Sequence, residues 1–157
     1  MKAGLLAHAA QAWILAENNT RAEAVLTAAL GLTPWDMDLL VDRAQARAGH
    51  QDYNGAIEDL NRAIKSGNRP ADAYIFRSAA HRRLNQLELA LADIERGLVL
   101  QPAHPDGLLE RGILRRLRDN TSGARRDWLH VIRLSPKSPA ADVARRYLEN
   151  MAAKPDK

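Results

Sequence analysis

The fold is decided by residues 71–104, which read ADAYIFRSAAHRRLNQLELALADIERGLVLQPAH, because their features recur every 34 residues along the chain. The alanine in the second half of this stretch belongs to a set of four equally spaced alanines: Ala22, Ala56, Ala90 and Ala124. Four positions after each alanine stands a large apolar residue: Leu26, Leu60, Ile94 and Trp128. Small residues recur upstream in the same way: Ala10, Ala44, Ser78 and Gly112. A fixed period of this length indicates a helical unit that stacks on copies of itself.

A proline ends three of the units, at Pro34, Pro102 and Pro136, and Asn68 takes the remaining position. Residues 74–102 carry aromatic, small, alanine, large apolar, small and proline positions in order, and with this spacing the chain resembles the tetratricopeptide repeat family. The resemblance implies an all-α fold, a right-handed solenoid of four helix pairs plus a C-terminal capping helix. The units would be residues 3–36, 37–70, 71–104 and 105–138, followed by a capping helix over residues 139–152 and a frayed tail over residues 153–157.

The composition excludes several kinds of chemistry. The chain has 157 residues and no cysteine, so disulfides, thiolate metal sites and a cysteine nucleophile are excluded. The histidines stand at five unrelated positions of the repeat, without the paired spacing of a helical zinc site: His8, His50, His81, His104 and His130. No serine has the surroundings of a nucleophile elbow, and no glycine-rich loop resembles a phosphate cradle. We therefore expect a non-enzyme that uses no cofactor and no metal.

Charged residues follow the 34-residue period too. Three arginines recur in the first helix of a unit and three aspartates in the second: Arg43, Arg77 and Arg111, and Asp59, Asp93 and Asp127. Each arginine precedes its aspartate by 16 residues, and the first unit has Ala9 and Val25 at these two positions, so both charges vanish together. The pattern predicts three structural ion pairs rather than arginines that bind an anion.

In the family that the chain resembles, the first helix of each unit lines a concave groove that accepts a peptide or a partner helix. Steps of four and three residues along each first helix, on the face away from its second helix, select one stripe per unit. The predicted groove residues are Val41, Gln45, Ala48, Ile75, Ala79, Arg82, Arg83, Leu109, Ile113 and Arg116, with Ala7, Gln11 and Ile14 in the first unit. This groove would be apolar along its floor and cationic toward its arginines. It would suit a segment of another protein with apolar anchors and acidic flanks.

Some members of the family grip a terminal carboxylate with Lys, Asn and Arg from three successive helices. The corresponding positions here hold Val41, Gln45, Phe76 and Asp106. The carboxylate clamp is therefore not recognisable in this sequence.

Nucleic-acid binding is the competing function class, because the net charge of +4 lies in the C-terminal half. Residues 1–78 hold 8 basic and 9 acidic side chains, and residues 79–157 hold 15 and 10. One unit carries most of the arginines: Arg111, Arg115, Arg116, Arg118, Arg125 and Arg126. However, Arg111 is assigned to Asp127, and aromatic residues make up only 4% of the chain, which is too few for a base-stacking surface. We expect no nucleic-acid partner.

Residues 3–16, AGLLAHAAQAWILA, contain no charged residue. A secretory signal is disfavoured, because Leu6, Ala10 and Trp13 occupy positions that recur in the later first helices. Terminal repeats usually need a polar outer side, so we expect an upstream segment, a second copy of the chain or another partner to cover this end, unless the alanine-rich surface simply tolerates water. Self-assembly through residues 3–16 is thus the alternative function. We expect no membrane span, and a cytoplasmic location is favoured.

Overall fold

A computed structural model of the chain describes residues 2–67 and 70–153, and every regular element within them is an α-helix. The helices of this part of the chain are α1 (Lys2–Leu15), α2 (Asn19–Leu32), α3 (Met37–Gly49), α4 (Tyr53–Ser66), α5 (Pro70–Arg83), α6 (Leu87–Leu100), α7 (Pro105–Leu117), α8 (Thr121–Leu134) and α9 (Pro139–Ala153). The predicted all-α fold is confirmed. α9 covers the region predicted as a capping helix, Asn68 and residues 154–157 of the predicted tail lie outside the described residues, and the unit boundaries stay predictions.

The helices pack in consecutive hairpins, α1 with α2, α3 with α4, α5 with α6 and α7 with α8, and each hairpin packs against the next. The chain reverses inside each hairpin at the same repeat position, through a residue with a positive φ: Glu17, Gln51, Asn85 and Asp119. In three hairpins the following residue, Asn18, Asp52 or Asn120, accepts a hydrogen bond from the backbone N–H three residues on. A short polar side chain at this position therefore caps α2, α4 and α8.

The core follows the alanine and large apolar positions that recur in the sequence. All eight residues at these two positions of the second helices are buried: Ala22, Ala56, Ala90, Ala124, Leu26, Leu60, Ile94 and Trp128. Where the second helix carries its largest residue, Trp128, the first helix has its smallest, Gly112. A Cβ atom at Gly112 would collide with the Trp128 indole. Complementary side-chain sizes thus set how closely the two helices of a hairpin approach.

The last helix covers the C-terminal end of this core. α9 packs on both α7 and α8. Its Tyr147 stacks on Trp128 with 4.8 Å between the ring centroids and 13° between the ring planes. Ala140, Ala141 and Ala144 are buried against the same surface. α9 therefore shields the largest buried side chain of the molecule from water.

The stack curves around its first helices. α1 contacts α3, α3 contacts α5, α5 contacts α7 and α7 contacts α9, whereas within residues 2–67 and 70–153 no such contact joins α2, α4, α6 and α8 to one another. The first helices therefore lie closer together than the second helices. They line the concave surface, and α2, α4, α6 and α8 form the outer surface.

Ion pairs join the two helices of three hairpins. In each pair one arginine donates two hydrogen bonds to one carboxylate: Arg43 to Asp59 at 2.8 and 2.6 Å, Arg77 to Asp93 at 2.7 and 2.6 Å, and Arg111 to Asp127 at 3.0 and 2.8 Å. The hydrogen bond to Asp93 raises the pKa of the Arg77 guanidinium above its ordinary value, although burial lowers it. The structure thus brings together all six residues that the 34-residue pattern had paired.

Candidate functional site

The concave surface holds a groove to which the first helix of every hairpin contributes. The groove has a volume of about 440 Å³. It is lined by Gln11 of α1, by Met37, Asp38, Val41, Asp42 and Gln45 of α3, by Asp72 and Phe76 of α5, by Asp106 of α7 and by His104 just before α7. Because these residues are far apart in the sequence, only the stacking of the hairpins brings them together.

Four of the ten lining residues are aspartates, and none is a lysine or an arginine. Asp38, Asp72 and Asp106 are spaced by 34 residues, and each lies in the first turn of its helix. A carboxylate in the first turn stabilises a helix through its dipole, which explains the residue type locally. Asp38, Asp42 and Asp72 each interact with further groups of the protein. Stacking then places the repeated aspartates along one side of the groove and makes its lining acidic.

A buried histidine–aspartate pair fixes one end of the groove. His104 and Asp72 are each 8% exposed, and 2.8 Å separates the His104 Nε2 from an Asp72 carboxylate oxygen. The His104 Nδ1 accepts a hydrogen bond of 3.3 Å from the Gly107 backbone N–H and so caps α7. Since Nδ1 is an acceptor, the proton of the neutral ring lies on Nε2 and is donated to Asp72. This pair ties the start of α7 to the start of α5.

A smaller apolar cleft of about 100 Å³ continues from the groove between α3, α4 and α5. It shares Gln45 and Phe76 with the groove, and its other walls are Ala44, Ala48, Tyr53, Ala56, Leu60, Ala79, Ala80 and Arg83. Arg83 donates a hydrogen bond of 2.9 Å to the Tyr53 hydroxyl, and its guanidinium carbon lies 5.4 Å from the Tyr53 ring centroid. The concave surface therefore offers an acidic groove that opens into an apolar cleft.

Five of the predicted groove residues line these two cavities: Val41, Gln45, Ala48, Ala79 and Arg83. The expectation for Ile75 is wrong, since this side chain is 1% exposed in the core, where it fills the space beside Gly97 and Gly107. The step of four and three residues failed there because α5 is packed on both sides, by α6 and by α7.

The expected cationic end of the groove is corrected as well. Arg82 is bound to Glu110 by two hydrogen bonds of 2.7 and 3.1 Å, so its charge is balanced within the protein. Arg116 approaches Asp119 to 3.9 Å and has a further interaction. Leu109 and Ile113 pack against the core with only part of their surface exposed. None of these four residues lines the two cavities described above.

Three residues of the groove were not predicted from the sequence: Asp38, Asp72 and His104. The aspartates could have been found, because Asp38, Asp72 and Asp106 recur every 34 residues as clearly as the arginines of the ion pairs do. All four positions that correspond to the family's carboxylate clamp, Val41, Gln45, Phe76 and Asp106, lie in the groove. No period of the sequence includes His104.

Other kinds of site find no support in residues 2–67 and 70–153. This part of the chain has no group of three or more His, Asp or Glu side chains placed to hold a metal ion. Of the arginines considered for nucleic acid, Arg111 and Arg115 both bind Asp127, and Arg118 binds Glu88. None of the helices in the described ranges is long and apolar enough to cross a membrane.

The outer face of α1 is apolar and open to solvent. Leu5 is 73% exposed and Leu15 is 78% exposed, and Ala9, Ala12 and Ala16 are exposed beside them. The inner side of the helix packs on α2 and α3, where Ala10 is buried. The first hairpin therefore has an apolar outer surface, in contrast to the polar outer side that terminal repeats usually carry.

Residues 77–149 match the family model described as tetratricopeptide repeat. The chain has no significant match among curated proteins. Among solved structures, the first tetratricopeptide repeat of Spaghetti (RPAP3), bound to the HSP90 peptide SRMEEVD, is 26% identical with a TM-score of 0.68, over 77% of this chain and 96% of that chain. The second such domain of human RPAP3, in complex with the HSP70 peptide SGPTIEEVD, is 23% identical with a TM-score of 0.68, over 73% and 96%.

A likeness in fold alone reaches further along the chain. The crystal structure of the MamA protein is 15% identical with a TM-score of 0.68, and the match covers 99% of this chain and 97% of that chain. The chain therefore carries tetratricopeptide repeats, with a sequence match to that family over residues 77–149 and the same fold along nearly all of its length.

Proposed function

We propose that this protein is an interaction scaffold that binds a segment of another protein in its concave groove. The observation that carries the proposal is the groove itself, since α1, α3, α5 and the start of α7 all contribute side chains to one surface. A peptide that crosses successive helices can bury its side chains one after another along such a surface. Two solved structures of the same fold are complexes with short peptides, which supports this mode of binding.

Binding on a preformed surface requires no covalent chemistry. The groove is held in shape by contacts within the protein, among them the His104–Asp72 hydrogen bond and the buried Val41 and Met37 side chains. A surface that is already ordered loses little conformational entropy when its ligand binds. We therefore propose a non-enzymatic role, in which the partner segment supplies most of the conformational change.

Site-specific photocrosslinking tests the proposal. A benzophenone amino acid replaces Gln45, which lines both the groove and the cleft, and in a matched control it replaces Glu58, which is exposed on α4 of the outer surface. We expect a protein segment that crosslinks from position 45 and not from position 58. The segment, once identified and synthesised, should bind the purified chain, and Phe76→Ala should weaken that binding about 30-fold, as for a central interface residue worth about 2 kcal/mol. Equal crosslinking from both positions would contradict a groove ligand.

A second candidate function is self-assembly through the outer face of α1, which the exposure of Leu5 and Leu15 favours. Two such faces could cover each other, since the same apolar surface is present on every copy. The measurement is the mass in solution by sedimentation over a range of concentrations. A mass that rises with concentration in the unchanged chain but not in Leu5→Ser/Leu15→Ser would support it. A chain that stays monomeric when concentrated would eliminate it.

A further inference from the structure

We infer that the groove selects a segment that carries a lysine or arginine side chain next to a small apolar anchor. This inference rests on the proposed function, because it assigns the chemistry of the ligand for that same groove. It is carried by two separate observations, the charge of the groove lining and the adjoining apolar cleft.

The lining of the groove is acidic without a compensating cation among its own residues. Asp38, Asp42, Asp72 and Asp106 contribute four carboxylates, and no lysine or arginine stands among the ten lining side chains. The arginines nearest in sequence on the concave helices are committed elsewhere, Arg82 to Glu110 and Arg77 to Asp93. A cationic side chain would therefore meet complementary charge in the groove, whereas a carboxylate would meet charge of its own sign.

The cleft adds a requirement that charge alone does not. Its walls are mostly alanine side chains, with Leu60, Phe76 and the Tyr53 ring, and it is much smaller than the groove. Because Gln45 and Phe76 belong to both cavities, a ligand that reaches the aspartates also passes the mouth of the cleft. A small aliphatic side chain of the ligand would lose its contact with water there. Specificity would come from the pairing of this anchor with the cation.

The assignment reverses the charge that the sequence pattern predicted for the partner, a segment with acidic flanks. It also separates this groove from the two solved complexes, whose peptides SRMEEVD and SGPTIEEVD contain two glutamates and an aspartate each. In this chain the positions that correspond to the family's carboxylate clamp include Asp106 and no lysine or arginine. A peptide with a glutamate at that point would face a carboxylate instead of a cation.

The first-turn aspartates also stabilise their own helices, so the experiment separates binding from stability. The full chain, labelled with ¹⁵N, is titrated with three mixtures of short synthetic peptides that share one aliphatic position. The mixtures differ only in the residue beside it, which is Lys or Arg, Asp or Glu, or Ser or Gln. The readouts are the shifts of the Gln45, Phe76 and Asp106 amide signals, and the dissociation constant.

We expect the basic mixture to bind most tightly and to shift those amides. Asp38→Asn/Asp106→Asn should weaken its binding about 5- to 30-fold, as for the loss of two exposed charge pairs. The matched control Glu58→Gln/Glu149→Gln removes two exposed carboxylates from α4 and α9, outside the groove, and should change the affinity less than about 2-fold by the same reasoning. The single variant Asp106→Asn, at an exposed position, replaces the pair if the pair does not fold.

The other outcomes are distinguishable. Equal or tighter binding of the neutral or acidic mixture at the same amides overturns the inference and leaves the proposed groove function intact. Basic peptides that bind away from these amides, or whose affinity does not respond to the aspartate variants, overturn the inference as well. If no mixture shifts the groove amides, both the inference and the proposed function are wrong.

Discussion

The ion pairs link more than the two helices of one hairpin. The third nitrogen of the guanidinium reaches back to the preceding hairpin, where Arg43 donates to Thr27 at 3.2 Å and Arg77 to Asn61 at 2.6 Å. Thr27 and Asn61 are themselves 34 residues apart. The raised pKa of Arg77 keeps its guanidinium charged, so this contribution is complete at neutral pH and is lost only as the pH rises above the ordinary arginine range. Each arginine therefore holds three helices in register.

Removing one partner of a pair should cost far more than removing both. Arg77 and Asp93 are mostly buried, with 17% and 6% of their side-chain surface exposed. We expect Asp93→Ala to lower the free energy of unfolding by about 3–5 kcal/mol, because it leaves a buried charge without its counterion. Arg77→Leu/Asp93→Val should cost much less. Urea denaturation of the two single variants and the double variant forms the cycle, and an absence of coupling between the two positions would remove the structural role.

One helix lacks the cap that its counterparts have. Gln86 precedes α6 at the position held by Asn18, Asp52 and Asn120, and its side chain makes no capping hydrogen bond. It contacts His81 instead, at 2.7 Å. We expect Gln86→Asp to raise the free energy of unfolding by about 0.5–1 kcal/mol, since a short carboxylate can accept from the free N–H groups of the first turn. The urea midpoint measures this change, with Asp52→Ala as the opposite control, and an unchanged or lower midpoint would contradict it.

At the scale of whole helices, packing depends on matched side-chain sizes. α7 approaches α8 closely because Gly112 leaves room for the Trp128 indole, and α9 then covers that ring with Tyr147. The second hairpin solves the same problem with Ala44 and Leu60, which are both buried. Gly112 is therefore required by its partner on α8 and not by the backbone of α7.

A methyl group at position 112 should separate the two helices. We expect Gly112→Ala to destabilise the protein by about 1–3 kcal/mol through overpacking, despite the higher helix propensity of alanine. Gly112→Ala/Trp128→Leu restores the combination of the second hairpin. The two changes should therefore cost less together than the sum of the two single changes, with a coupling of about 1–2 kcal/mol in chemical denaturation. Additive costs would show that Gly112 and Trp128 do not restrict each other.

At the scale of the molecule, each hairpin is stabilised chiefly by its neighbours along the stack. α3–α4 and α5–α6 have a hairpin on both sides, and α7–α8 is covered by α9, whereas α1 packs only on α2 and α3. In an assembly of this kind, stability is approximately a sum of hairpin terms and nearest-neighbour terms. The end with the fewest neighbours should therefore open first.

Amide hydrogen exchange should reveal this gradient. At concentrations where the chain is monomeric, we expect the α1 amides to exchange fastest and those of α5 and α6 to be the best protected, because α1 opens without unfolding the rest. The measurement is exchange followed by NMR, helix by helix. Uniform protection from α1 to α9 would contradict nearest-neighbour stabilisation. Strong protection of α1 that appears only at high concentration would instead favour self-assembly through this helix.

Much of the fold could be predicted because the sequence states each contact several times. The alanines, the large apolar residues and the Arg–Asp positions recur in step, so each repeat checks the others, and both the all-α fold and the family were confirmed. Local capping was less readable, because the turn residues Glu17, Gln51, Asn85 and Asp119 share a backbone conformation but not a side-chain type. A period in conformation is invisible where the residue types differ.

The groove was only partly predictable. A helical step along one first helix finds which face points inward, and it found Val41, Gln45, Ala48, Ala79 and Arg83 correctly as lining residues. It could not find that Ile75 is enclosed by a neighbouring hairpin, or that Arg82 is neutralised by Glu110, which lies 28 residues away on α7. Enclosure and charge balance depend on residues of other helices.

The sequence by itself determined the helical repeat, its period and the pairing of charges within a hairpin, because all of these follow from spacing along one chain. Only the tertiary structure decided the sign of the groove. Asp38, Asp72 and Asp106 each stabilise the start of a separate helix, and they act together only because the curved stack brings α3, α5 and α7 side by side. Charge on a shared surface adds up across distances in space, which the order of residues does not contain.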